Sequence, residues 1–184
     1  MKLWVISLLL MISLTGCDDA SELERGMTLR TSLLRSDVDM TVQVLADYPE
    51  TNSRFSLDCF FDAQGNMRFS VLEPESIQGI TGNVESEQGS LTFDDSVVYF
   101  ALMTDENISP ICAPWILMKT LRNGYMRSVC MEDGLLRLTI DESYDEDSMT
   151  LDIWLNDRNE PVRSEILWEG RRIMSVEVAN FRIM

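Results

Sequence analysis

The spacing of its apolar residues limits what this chain can fold into more than any other feature. From residue 38 to the end they recur at every second position, in short runs. Met40, Val42 and Val44 form the first run. Phe55, Leu57, Cys59 and Phe61 follow, with polar Ser56 and Asp58 between them, and Met67, Phe69 and Val71 return after the turn AQGN. Such alternation sends one face of a strand into a core and the other into water. Ile80 and Val84 sit among glycines that indicate a bend or bulge, and GSLTFDDSVVYFAL reads as two strands around Asp94-Asp95. The pattern resumes in YMRSVCM against LLRLTI around Glu132-Asp133-Gly134, in Leu151, Ile153 and Leu155, and in Val162, Ile166 and Trp168 before Glu169-Gly170. The sum is about nine to eleven antiparallel strands, and sheets of about ten strands curl, split or close.

Two segments break the period of two. Residues 20–36, ASELERGMTLRTSLLRS, read as a helix: Ser21 is placed to cap it, Glu22 and Glu24 lie in its first turn, and Gly26 weakens it. Residues 109–124, SPICAPWILMKTLRNG, read as a second helix, with Pro114 in its first turn and Gly124 as its stop. Trp115, Ile116, Leu117, Met118 and Leu121 make it apolar nearly all round, which is the mark of a buried helix or of a plug over an apolar cavity. Helices of this kind need an apolar face to sit on. A β-dominated α+β domain follows, with a strongly bent antiparallel sheet wrapped round two helices.

The N-terminus belongs to a different problem. Lys2 is the only charge before residue 17, and LWVISLLLMISL behind it is shorter than the roughly 20 residues a spanning helix requires. It fits the apolar core of a signal peptide. Leu14-Thr15-Gly16-Cys17 resembles the bacterial lipobox, in which the cysteine thiol takes a diacylglyceryl group and becomes the new N-terminus. The expected organisation is a cleaved signal at 1–16, a lipidated tether at 17–21 and one folded domain at 22–184. Two or more acyl chains hold a protein stably at a membrane, at about 0.8 kcal/mol per buried CH₂. Asp18 after the cysteine resembles a signal for retention at the inner membrane, so the expected location is the outer face of the cytoplasmic membrane. The covalent lipid on Cys17 is the only attached group expected; no cofactor is.

Composition removes several functions. The chain has no histidine, which excludes Ser-His-Asp and Cys-His catalysis and His-ligated zinc. A net charge of −16 makes nucleic acid an improbable partner. Cys59, Cys112 and Cys130 contain no Cys-x-x-Cys pair. They allow one internal disulfide, for which Cys112 and Cys130 are the candidates, or three buried free thiols. The acidic run DESYDED at 141–147 fails as an EF-hand, because counting from Asp141 puts Glu146 where glycine is required and Asp152 where glutamate is. A solvated loop is the plain reading, and no metal is expected. Nothing in the chain forms a recognisable nucleophile constellation, so an enzyme is not expected.

The order of elements resembles a known superfamily. An N-terminal helix, a run of hairpins, FSVLEPESIQGITGNV, GSLTFDD, a central apolar helix and terminal hairpins are similar to the LolA/LolB and LppX group of lipoprotein carriers and lipid-binding lipoproteins. The step into the glycine-turned hairpin is carried by Pro74, Glu75, Ile77, Gly79 and Ile80. The chain also looks like lipoproteins of clostridia and related Firmicutes, one of which is needed for spore germination. The resemblance implies a half-barrel whose helix-covered concave face can hold acyl chains, and it carries over no catalytic residue. On that reading Phe55, Phe61, Phe69, Phe93, Trp115, Met118, Trp154 and Trp168 line an apolar cavity; the alternative is that they fill an ordinary core. The carrier of Gram-negative cells has no lipid of its own, whereas this chain has an anchor. A fixed role in binding a lipid or apolar ligand is therefore expected. The alternative is a scaffold for another envelope or spore-germination protein, possible also as a homodimer.

Overall fold

A computed structural model describes residues 18–48, 51–85, 88–93, 96–101, 103–104, 107–145 and 148–184. Helix α1 spans Asp18–Leu33, and strands β1 (Val38–Tyr48), β2 (Thr51–Phe61), β3 (Met67–Glu73), β4 (Thr81–Glu85), β5 (Gln88–Phe93) and β6 (Ser96–Ala101) follow it. The short pair β7 (Met103–Thr104) and β8 (Asn107–Ile108) leads through a 3-10 turn at Pro110–Cys112 into α2 (Ala113–Asn123). Strands β9 (Tyr125–Glu132), β10 (Leu135–Asp141), β11 (Thr150–Leu155), β12 (Pro161–Trp168) and β13 (Arg171–Ile183) complete the chain. Helix α1 begins two residues before the helix expected at 20–36 and ends three residues short of it, so residues 18–21, expected as tether, are helical.

Eleven strands form one antiparallel, curved and unclosed sheet in the order β6-β5-β4-β3-β2-β1-β13-β12-β11-β10-β9. This is the expected half-barrel. The edges, β6 and β9, are consecutive in the main sheet's sequence order, so the chain must cross from one edge to the other. A flat sheet of eleven strands would be about 48 Å wide at about 4.8 Å per step. Residues 102–124 make the crossing, and the eleven helical residues of α2 rise only about 1.5 Å each. Curling brings the edges nearer, and the crossing segment lays α2 across the concave face.

Register carries the alternation into a single core. Val42 pairs with Leu57, Leu57 with Val71 and Val42 with Val178, so the buried residues of neighbouring strands share the inner face. On the far side Leu138 pairs with Ile153 and Leu151 with Ile166. From α2, Ile116, Leu117, Met118 and Leu121 are each at most 2% exposed; burying one such side chain contributes about 1.5–3 kcal/mol. The expected turns at Asp133-Gly134 and Glu169-Gly170 form, with positive φ at both residues of each pair, as a two-residue hairpin loop requires. Gly124 ends α2 for a different reason from a left-handed stop. Its φ is −70°, and a Cβ there would lie 2.6 Å from Ile140 Cγ2 and 2.8 Å from the Asp141 carbonyl oxygen.

Two arginines tie the helices to each other and to the connections flanking β1 and β2. Arg122 of α2, 5% exposed, donates to the Asp62 carbonyl (2.8 Å) and to the Ser36 carbonyl (3.1 Å). Burial pulls its pKa down, against the opposing pull of Asp62 and Asp37. Arg30 of α1 donates to the Leu121 carbonyl (2.8 Å), one of the carbonyls the end of α2 leaves without an intrahelical partner.

Candidate functional site

The concave face is occupied. Phe61, Phe69, Trp115 and Met118, all expected to line a cavity there, are buried in one contiguous core, and Phe55 and Trp168 pack half-buried against it. Phe93 lies in β5, and its side chain is outside the described residues. Phe69 reaches over Gly82 of β4: a Cβ on Gly82 would collide with the Phe69 ring and come within 2.6 Å of the Ser90 carbonyl oxygen.

Trp154 is a correction. Leu151, Ile153 and Leu155 take the inner face of β11, so Trp154 takes the convex one, opposite Arg137 and Arg163 on the flanking strands. It is nevertheless 4% exposed. Arg163 stacks on its ring at 3.9 Å and Arg137 at 5.2 Å, and its indole N–H donates to Glu132 (2.7 Å). Asp152 beneath accepts from Arg137 (2.6 Å) and from the Thr139 hydroxyl (2.7 Å). Its charge and hydrogen bond hold the Arg137 pKa up, against burial. The cluster closes the outside of the sheet and lines no cavity.

The cysteine pairing is a second correction. Cys59, Cys112 and Cys130 are all free thiols. Cys112 is buried at the start of α2, on the concave side. Cys130 pairs in register with Arg137, which puts it on the convex side, exposed. The sheet stands between them. Burial raises the thiol pKa of Cys112 to about 12 and pushes Cys59 higher still, the latter aided by Asp58 and Asp39.

The acidic run is engaged in ordinary contacts. Asp141 pairs with Arg127 (2.7 Å) and Glu142 with Lys119 (3.0 Å), and Glu146 and Asp147 lie outside the described residues. Among the described residues no group of three or more acidic or cysteine side chains could hold a metal. The lipobox residues Leu14, Thr15, Gly16 and Cys17 lie outside them as well, immediately before α1. No described helix is long and apolar enough to cross a membrane.

The structure assembles a site that the linear pattern did not single out. A cleft of about 590 Å³ runs between the C-terminal half of α1, the β11–β12 turn and the end of β13. Leu29, Phe181, Ile183 and Met184 supply its apolar surface, and Arg158, Asn159, Glu160 and Arg182 its polar rim. Arg158 pairs with Glu160 (2.8 Å) and Arg182 with Asp39 (2.9 Å), all on long exposed guanidinium arms. A bulge opposite Asp39–Thr41, where Asn180 has φ +53°, makes the site. Val178 faces inward before it and Ile183 faces inward after it, opposite Val38, so the inward phase of β13 changes from even to odd. The bulge aims Phe181 and Ile183 at α1. The Met184 N–H donates to the Asp37 carbonyl (2.9 Å) and fixes the strand end beside the helix. An apolar floor with a charged rim is suited to an amphiphile.

No family model and no curated protein matches the sequence. Several solved structures are similar to the chain. One is a LolA superfamily protein from Nitrosomonas europaea, with TM-score 0.45 and 9% identity over 92% of this chain and 94% of that one. Another is the lipoprotein LppX of Mycobacterium tuberculosis, with TM-score 0.42 and 12% identity over 88% and 93%. A third is one chain of the complex between the CwlD amidase of Clostridioides difficile and the GerS lipoprotein, with TM-score 0.43 and 14% identity over 91% and 98%.

Proposed function

We propose that the protein is a bacterial envelope lipoprotein, held by a lipid on Cys17 at the outer face of the cytoplasmic membrane, that binds an amphiphilic ligand in the cleft beside α1. The anchor rests on the sequence Leu14-Thr15-Gly16-Cys17 behind an apolar leader. The observation that carries the ligand is the cleft itself. Its volume of about 590 Å³ falls in the range of small-molecule sites, roughly 300–1,000 Å³. Leu29, Phe181, Ile183 and Met184 offer an apolar seat, while the described aromatic and aliphatic side chains of the concave face are packed into the core. The head group would meet Arg158 and Arg182, whose exposed ion pairs open at little cost. No residue set in the cleft supports bond-breaking chemistry, and the proposed role is binding.

The test is mass spectrometry of the full chain extracted from its own membranes. A lipid or other amphiphile should leave with the wild-type protein and be lost from Phe181→Asp. A ligand-free wild-type protein would overturn the ligand reading. The anchor is tested separately: Cys17→Ser should abolish incorporation of labelled palmitate and release the protein from the membrane fraction.

A second reading, a scaffold for another envelope protein, is favoured by the edge strand β6. Its sequence SVVYFA carries no charge, and Val97 and Val98 are 52% and 61% exposed. Uncharged apolar edges accept a strand from another chain. A germination protein or a second copy would supply that strand.

A further inference from the structure

Helix α1 has two flanks that do not match. Gly26, Leu29 and Leu33 face the core, and Gly26 sits so close that a Cβ there would lie 3.1 Å from Leu138 Cδ2. Leu23, Met27 and Leu34 remain 46%, 43% and 48% exposed. At about 100° per residue these three fall within about 40° of one another round the helix. Leu34 keeps that phase because its N–H still donates to the Arg30 carbonyl (3.0 Å). The result is an apolar stripe along one flank of the first folded element after Cys17.

We infer that this stripe is a second membrane contact, lying on the bilayer into which the Cys17 lipid inserts. The inference rests on the proposed anchor. Three observations point to a lipid surface as the occupant. The sequence places the lipidated cysteine directly before Asp18, the first residue of the helix, so the helix is within reach of the headgroup region wherever the lipid is inserted. The stripe runs from Leu23 to Leu34, interrupted on the same flank by half-buried Arg30, whose guanidinium turns away to the Leu121 carbonyl. The helix also cannot roll to hide it. Arg25 donates to Asn159 Oδ1 (2.8 Å) and to the Asn156 carbonyl (3.1 Å), Arg30 donates to Leu121, and Leu29 and Leu33 are in the core. Leu136 pairs with both Met131 and Leu155, which places Met131, 46% exposed on β9, at the same end of the sheet as the Asn156 turn. It extends the apolar surface at the N-terminal end of the stripe.

Because α1 is pinned, docking the stripe sets the attitude of the whole half-barrel. Thr28 and Ser32, which line the cleft, stand about 120–160° round the helix from the stripe. The cleft therefore opens away from the bilayer, and its ligand or a partner approaches from the aqueous side. The stripe acts by apolar contact, so it does not depend on anionic lipid, which a chain of net charge −16 would resist.

The test uses the full lipidated chain in phosphatidylcholine vesicles. In a Cys130→Ser background, an environment-sensitive fluorophore is attached through Met27→Cys or, as the control, Ser21→Cys. Position 21 is nearer the anchor along the chain but faces elsewhere. The expected result is a blue-shifted emission at position 27, quenched several-fold more by a lipid-borne quencher than at position 21. Adding Leu23→Glu should remove that difference while the protein still floats with the vesicles. Equal quenching at both positions in vesicle-bound protein would overturn the docking and leave the anchor standing. Protein that fails to float at all would overturn the anchor, and the docking with it.

Discussion

The two ends of the sheet solve the same problem differently. At the β9–β10 end the inner face is covered by α1, whose Gly26 rests on Leu138 and Met126, and the outer face is laced by Arg127–Asp141, Arg137–Asp152 and Arg137–Glu132 pairs. At the β5–β6 end the described residues include no charge on the edge strand, and both faces of it are apolar and open at Val97 and Val98. Charge and cover are the usual protections of an edge. Among the described residues both protections are present at the β9 end, whereas at the β6 end Val97 and Val98 stand exposed.

That contrast can be broken in four places. The largest effect is expected from Leu138→Ala, which empties a fully buried site under α1 and should cost about 2–5 kcal/mol in urea unfolding. Val98→Ala on the open end should cost under about 0.5 kcal/mol. Equal losses would mean that both ends are core. Next, Arg137→Met strands Asp152, whose side chain is 7% exposed, without its cation. A loss of about 1–3 kcal/mol is expected, tempered because Arg137 itself is one-third exposed, and partly recovered in Arg137→Met with Asp152→Asn.

A smaller effect is expected from alkali, and it separates interior from edge. Burial raises the thiols of Cys59 and Cys112, the latter to about 12. The unfolded chain loses these protons first as pH rises past the ordinary thiol value, so stability is whole below about 8.5–9 and falls from there through about 12. Cys112→Ala should flatten the fall in a series of urea melts. A thiol reagent should modify Cys130 in native protein and the other two only on unfolding. The smallest effect on stability is expected from Val97→Lys, within about 0.5 kcal/mol. It should still abolish any self-association or partner capture through β6, read by sedimentation velocity; unchanged association would place the interface elsewhere.

The legible parts of this fold were those set by local periodicity. Met40, Val42 and Val44, or Leu151, Ile153 and Leu155, declare their face because a strand has a period of two. Asp133-Gly134 and Glu169-Gly170 declare their turns because few residues tolerate positive φ at both positions. Trp154 was legible too, since it is out of phase with Ile153 and Leu155; counting it by type as an aromatic, and not by phase, put it on the wrong face. The weak alternation of YMRSVCM hid the side on which Cys130 lies. The cleft was not legible. It depends on one extra residue in β13 at Asn180 and on Leu29, some 150 residues away in sequence, arriving beside Phe181.

By itself the sequence determined the β-dominated class, with nine to eleven strands expected where the main sheet has eleven and a short pair adds two, together with the central helix and the absence of histidine-based chemistry. These are local facts of pattern and composition. Tertiary structure alone decided that the concave face is filled, that Cys112 and Cys130 are kept apart by the sheet, and that α1 shows water an apolar flank and the cleft on opposite sides. Those outcomes depend on sheet curvature, on register across eleven strands and on one bulge. A one-residue shift in register reverses every side chain beyond it, and no local window records where that shift falls.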